Sequence, residues 1–297
     1  LKYFLKDYFV ISIAFDSKGT AWIGTLNQGL IRFDGEVFHY NSSNSILSDT
    51  IMVPAIDVDT FDNIWIGSNV GLLKHKNKEF VISDKSNSPI THNIRSLAVD
   101  KDNSVWFTNG DIYQGGIIQY NGKDWNLYTP DNSDLSSTVI YDITVDEENS
   151  KWFTCPDAVV KYSNNNWTVF HSNSSGINFD WVDKITVGVK GDIWISCDYS
   201  ESSITGDYPT VIKFNGINWS RMDLPKINNE KYITTDIYGD SKGIIWVATT
   251  GRELFYYNHG KWNYYCKLPF TIFTIKEDNF GRIWLGTGNG IYIIELP

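Results

Sequence analysis

Tryptophan recurs along this chain at a nearly constant interval, and that interval constrains the fold more than any other feature. Trp22, Trp65, Trp106, Trp152, Trp194, Trp246 and Trp284 are separated by 43, 41, 46, 42, 52 and 38 residues. A period near 42 belongs either to a propeller blade or to a helical repeat. The flanking segments decide between them: ISIAFDSKGTAWIGT, PAIDVDTFDNIWIGS, RSLAVDKDNSVWFTN and their four counterparts each hold two short runs rich in Ile, Val, Phe and Trp around a polar turn. Alternation with period 2 and β-branched content predict strands, and no 3.6-residue period competes with them. Helical solenoids are excluded.

The turn carries its own chemistry. Six residues before the repeat Trp stands Asp16, Asp59, Asp100, Asp146, Asp240 or Asp278, with Gly188 as the exception. Three residues after that position comes Gly19, Asp62, Asn103, Asn149, Gly191, Gly243 or Gly281. Asp opening a type I turn accepts backbone N–H groups, and Gly, Asn or Asp at the fourth position tolerates positive φ. A third strand follows in each repeat (GLIRF, GLLKH, GIIQY, AVVKY, TVIKF, ELFYY, GIYII). In the first six repeats a second aromatic then opens a fourth: Phe38, Phe80, Trp125, Trp167, Trp219 or Trp262. Four antiparallel strands repeated seven times predict an all-β, seven-bladed β-propeller forming one domain over residues 1–297. The expected blades are approximately 8–43, 51–86, 93–131, 138–173, 181–225, 232–268, and 271–297 plus 1–5. The seventh repeat ends before its fourth strand, and residues 1–5 align with an outer strand. The N-terminus is therefore expected to close the ring and protect the last blade's edge.

Composition sharpens this reading. Aromatic residues make up 15 % of the chain and charged residues 20 %, so there is enough apolar surface to offset chain entropy, which excludes intrinsic disorder. A net charge of −10 argues against nucleic acid and against anionic lipid surfaces. No apolar run reaches the roughly 18–20 residues of a membrane span, so no membrane insertion is expected.

Eleven of the 12 tryptophans fall in the two repeat slots, where blade-to-blade packing explains them. Trp181 stands outside both. It precedes the first strand of blade five, where other blades carry Ile51, Ile94 or Val139, and reads either as a larger core residue or as one reaching the channel mouth. Cys155, Cys197 and Cys266 show no disulfide or metal spacing and read as packed side chains. The five histidines form no zinc pattern, and His75 fills an aromatic slot. Asp100–Asp111 resembles a calcium loop only superficially, since Val105 stands where glycine is needed and Asp111 where Glu is needed. Gly286, Gly288 and Gly290 form a hairpin without the helix a phosphate site requires. No catalytic residue, metal or cofactor is indicated.

The pattern D-x-x-G-x-I-W-I-G-T followed by G-L-x-x-F, best seen over Asp16–Phe33, Asp59–Leu73 and Asp278–Ile291, resembles the two-component regulator propeller repeat. So do the connections at Asn44–Leu47, Asn87–Ile90 and Asn132–Leu135. The resemblance spans essentially the whole chain. It implies an extracytoplasmic bacterial module, in the periplasm or at the cell surface, with a lipid anchor through a segment outside this sequence as one means of retention. It also implies a sensory or ligand-binding role. Trp106-Phe-Thr and Trp152-Phe-Thr are in addition similar to streptogramin-lyase propellers. That family implies a His and Glu pair with magnesium on late blades, whereas the corresponding segments here offer only Glu253.

Insertions into the loops on the face shared by second-to-third-strand and interblade connections point to a ligand site. Blade three inserts residues 109–114 and blade five residues 198–208. The expected ligand-contacting residues are Asp111, Tyr113, Gln114, Trp181, Asp198, Tyr199, Tyr208 and Arg252, with Arg252 suited to clamp an anion or to pair with an acidic neighbour. The expected ligand is an oligosaccharide, peptide or small molecule. The alternative functions are a protein–protein scaffold and, behind it, a lyase or hydrolase.

Overall fold

A computed structural model of the protein describes residues 2–91, 93–110, 115–171, 181–197, 210–227 and 233–295. Seven four-stranded antiparallel sheets make up the described chain, without helices. Their inner strands are Val10–Phe15, Ala55–Val58, Leu97–Val99, Ile143–Val145, Val182–Val187, Thr234–Gly239 and Ile272–Glu277. The seventh sheet takes its outer strand from Lys2–Phe4, which pairs antiparallel with the third strand Gly290–Ile294 through Lys2 opposite Ile293 and Phe4 opposite Ile291. Tyr3 stacks on Tyr292 at 4.5 Å and donates its hydroxyl to the Asn289 carbonyl, so the ring closes as the repeat arithmetic predicts.

The repeat Trp defines the seams between blades. Each of the seven buried apolar clusters centres on the Trp of one blade set among strands of the next. Trp22 packs with Ile56, Ile64 and Leu73 of blade two, and Trp284 packs with Ile13, Ile23 and Ile31 of blade one. Glycine two residues past the Trp reflects the same proximity. A Cβ at Gly24 would stand 2.2 Å from the Val53 carbonyl of blade two, and one at Gly286 would stand 2.6 Å from Val10 of blade one. Only glycine fits where the neighbouring backbone passes this closely.

The turn aspartates do more than shape the turn. One oxygen of Asp59 accepts the backbone N–H groups of Phe61 and Asn63, while the other accepts the Trp65 indole N–H at 2.9 Å. Asp16, Asp100, Asp146, Asp240 and Asp278 hold Trp22, Trp106, Trp152, Trp246 and Trp284 in the same way, at 2.8–3.3 Å. Blade five keeps the backbone of the turn, with Gly191 N–H on the Gly188 carbonyl, but Gly188 brings no carboxylate to Trp194. The fourth turn residue has positive φ in all seven blades, as expected from its Gly, Asn and Asp identities.

Neighbouring turns are also tied to each other. Ser17 donates to Asp62, Thr60 to Asn103, and Lys101 N–H to Asn149, so the first four blades are linked through the side chain at the fourth turn position. Further round, that position is Gly191, Gly243 and Gly281, and Ser241 instead donates to Glu277. Among the described residues no such tie joins the turns of blades four and five or of blades five and six.

Removing one turn carboxylate strands several buried donors at once. Asp59→Ala is expected to lower stability by about 1–3 kcal/mol. Phe61→Ala in the same turn, at a side chain 70 % exposed, should change it by no more than about 0.5 kcal/mol. Urea unfolding followed by tryptophan fluorescence compares the two.

Candidate functional site

The inner strands are sheet edges that face the ring axis, so their side chains decide what the central channel offers. Counting four residues back from the first turn residue gives one column: Ser12, Ala55, Ser96, Asp142, Lys184, Asp236 and Thr274. All seven line the channel, a cavity of about 320 Å³. The column is small or hydroxylic on blades one, two, three and seven, and charged on the consecutive blades four, five and six. Lys276 and Tyr238 lie two residues nearer the turns, and Arg95 and Phe273 one residue nearer the opposite mouth.

Edge strands leave backbone N–H groups that need partners. Carboxylates on alternate blades supply them across the seams. Asp57 accepts Val99 N–H at 2.7 Å, Asp142 accepts Ile185 N–H at 3.2 Å, and Asp236 accepts Ile275 N–H at 2.6 Å. The second oxygen of each carboxylate accepts the N–H of the residue that follows it. Ser96 donates its hydroxyl to Asp142 at 2.7 Å, and Gly239 N–H reaches the Thr186 hydroxyl at 3.0 Å. The channel wall is thus a ring of side chains that hold the blades in register.

This wall also carries perturbed charges. Burial pushes the Asp236 carboxyl up to about 6, against the opposing pull of Lys184, the Ile275 amide and Lys276. Burial raises Asp57 and Asp183 as well, with Lys276 and Lys184 respectively holding them down. For Lys276, burial alone would favour the neutral amine, but Tyr238, Asp57, Asp236 and Asp142 outweigh it and keep the ammonium above its ordinary range. Its Nζ lies 5.4 Å from the centre of the Tyr238 ring.

At the mouth the lining becomes aromatic. Phe9 and Phe273 pack at 4.7 Å. Trp181 stacks over Tyr141 with ring centres 6.4 Å apart and 27° between planes. Exposed Arg95 lines both the channel and the adjoining depression that contains Tyr141. Trp181 is 54 % exposed, so the core reading of this residue fails. It also holds φ near 54°, a left-handed conformation that costs a bulky residue roughly 1–2 kcal/mol.

Arg252 is exposed on the same face, and its guanidinium donates to the Pro269 carbonyl at 3.1 Å rather than to an acidic neighbour. Asp111, Tyr113, Gln114, Asp198, Tyr199 and Tyr208 lie outside the described residues. The inner-strand column, with Arg95 and Lys276, went unrecognised in the sequence because isolated charges in strands resemble ordinary polar alternation. Aligning the repeats on the turn residue exposes it.

Among the described residues, no histidine and no glutamate lines the channel. Glu253 is buried between Thr249, at 2.6 Å, and Lys267, at 2.9 Å. His39, His75 and His171 stand on third or outer strands and His259 in a hairpin; His92 lies outside the described residues. His75 is packed among Trp22, Tyr40 and Phe80, and burial lowers its pKa. No group of three metal-ligating side chains occurs among the described residues. All three cysteines are free thiols.

The Asp236 shift has a testable sign. Its folded value lies above the unfolded value near ~3.9. The protonated form therefore adds stability below about pH 4, and this is lost as pH rises through about 6. Asp236→Asn, which still accepts the Ile275 amide, should gain on wild type by about 1–3 kcal/mol between about pH 4 and pH 7. Urea unfolding at the two pH values measures the gain, and parallel curves would show that Asp236 does not titrate there.

Solved structures of similar fold include two groups. One contains the extracellular domains assigned to the hybrid two-component systems BT4673 and BT3049 of B. thetaiotaomicron. The chain matches them with TM-scores of 0.76 and 0.74 and identities of 17 % and 20 %, covering 96 % of itself in each case and 38 % and 39 % of theirs. It therefore spans about two fifths of the length of those domains. The other group includes virginiamycin B lyase from Staphylococcus aureus, with a TM-score of 0.73, 14 % identity and coverage of 100 % of this chain and 98 % of the lyase. No curated protein sequence matches. No helix among the described residues is long and apolar enough to cross a membrane. The family model for the two-component regulator propeller matches residues 227–251 and 271–289, spanning the repeats of Trp246 and Trp284. The chain is thus a seven-bladed β-propeller built on one turn-and-tryptophan pattern, and its repeats around Trp246 and Trp284 match the two-component regulator propeller model.

Proposed function

We propose that this propeller is a non-catalytic sensory module that works outside the cytoplasm, in the periplasm or at the cell surface, and binds its ligand at the mouth of the central channel. The repeat family and the extracellular domains of similar fold support the sensory setting. The observation that carries the ligand site is Trp181. A large aromatic side chain is presented to solvent from a left-handed backbone and stacked on Tyr141, which lines a depression together with Arg95. Strain of this kind concentrates where function fixes a conformation, and an aromatic step beside a cation suits a sugar ring or a planar group next to an anionic or hydroxyl substituent. Arg252 and, from the insertions in the sequence of blades three and five, Tyr113, Tyr199 and Tyr208 are further proposed contacts. The dispersal of the histidines and the burial of Glu253 favour binding over catalysis.

A scaffold role is the second reading, favoured by exposed Phe61, Phe280 and Ile217 on the opposite face. These side chains are scattered singly over three blades, as on ordinary surfaces.

A thermal-shift screen with oligosaccharide and peptide panels tests the proposal. Ligands that stabilise wild type should lose most of the shift with Trp181→Ala and Arg95→Ala, and part of it with Tyr199→Ala or Tyr208→Ala. Equal stabilisation of wild type and Trp181→Ala would refute the mouth site.

A further inference from the structure

The channel below the mouth has a charge pattern that the mouth site does not explain. Asp142, Lys184 and Asp236 alternate in sign on three adjoining blades, and Lys276 lies one layer deeper, electrostatically coupled to Asp57, Asp142 and Asp236. The opposite wall is hydroxylic, with Ser12 and Thr274. A lone cation entering this space approaches two ammonium groups, and a lone anion approaches two carboxylates. Neither can be desolvated there without facing like charge. A neutral polyol would meet charged groups that it only partly solvates. A compact ligand carrying both signs can give its cation to the carboxylates and its anion to the lysines at the same time. The volume of about 320 Å³ is at the small end of ligand cavities, and Phe273 and Phe9 at the entrance form an apolar collar.

We infer that the central channel binds the zwitterionic head of a free α-amino acid, with an apolar side chain directed towards the aromatic mouth. The ammonium is placed against Asp142 and Asp236, which line the cavity on either side of Lys184. The carboxylate is placed against Lys276 and Lys184. Wall carboxylates that tie blades four to five and six to seven then feel the ligand directly, so occupancy bears on the seams themselves. The inference rests on the sensory reading and names the ligand class for the deeper part of that site.

Isothermal titration calorimetry with L-phenylalanine and L-leucine tests it, using phenethylamine and 3-phenylpropanoate as controls that each keep one charge. The amino acids are expected to bind, with either control at least about tenfold weaker. Lys276→Met and Lys184→Gln are both expected to weaken the amino acids about tenfold or more. Circular dichroism identifies whichever variant folds, and Asp142→Asn serves as a third if neither does. Single-charge analogues binding as well as the amino acids, or a folded channel variant that keeps full affinity, overturns the inference. If amino acids fail at about 10 mM while a saccharide or peptide binds and loses affinity with Trp181→Ala, the channel inference falls and the mouth site stands. If nothing binds at all, both fall.

Discussion

A single side chain, the aspartate that opens the inner hairpin in six of the seven blades, links the local and global levels of this fold. One of its oxygens fixes the turn by accepting two backbone N–H groups, and the other fixes the indole six residues on. The indole in turn lies at the seam with the next blade. Turn geometry and blade packing are therefore set by the same carboxylate. A turn out of shape would misplace the tryptophan, and a misplaced tryptophan would open the seam. This coupling lets seven short sheets of three to seven residues per strand, none of which buries enough alone, assemble into one ring.

Much of the architecture was legible because each element serves a repeated need. The period of the Trp slots, the Asp and Gly punctuation and the unfilled fourth strand of the last repeat led to the blade count and to the closure by Lys2–Phe4. The indole-to-aspartate bond could also have been read from the constant six-residue offset, since a buried indole N–H needs an acceptor. Less legible was anything that depends on the ring as a whole. Asp142, Lys184 and Asp236 are 42 and 52 residues apart in sequence and become neighbours only when strands from separate blades face one axis. Periodicity predicts that they share a column, but not that the column lines a cavity in which carboxylates bridge blades. Trp181 shows the converse. Its departure from the Ile and Val of other blades marked it as unusual, while its exposure and left-handed backbone emerge only in three dimensions.

Function separates from fold along the same line. The propeller fold makes the chain similar to extracellular domains of two-component systems and to lyases alike. What distinguishes this protein is the set of positions where the repeat is broken: Gly188 in place of Asp, charges where other blades carry small residues, Arg95 at the mouth, and Trp181 outside any slot.

The distribution of ties between neighbouring turns has a mechanical consequence. Blades one to four are riveted to each other by Asp62, Asn103 and Asn149, whereas the turns around blade five carry glycine at that position and, among the described residues, lack the rivet. The ties are thus unevenly placed: at the turns over blades one to four, and at the channel wall around blade five, where Asp142 holds the Ile185 amide and Thr186 the Gly239 amide. Asp142, Lys184 and Asp236 stand side by side in that second arc. There a side chain that faces the channel, Asp142, is also one that fastens blade to blade.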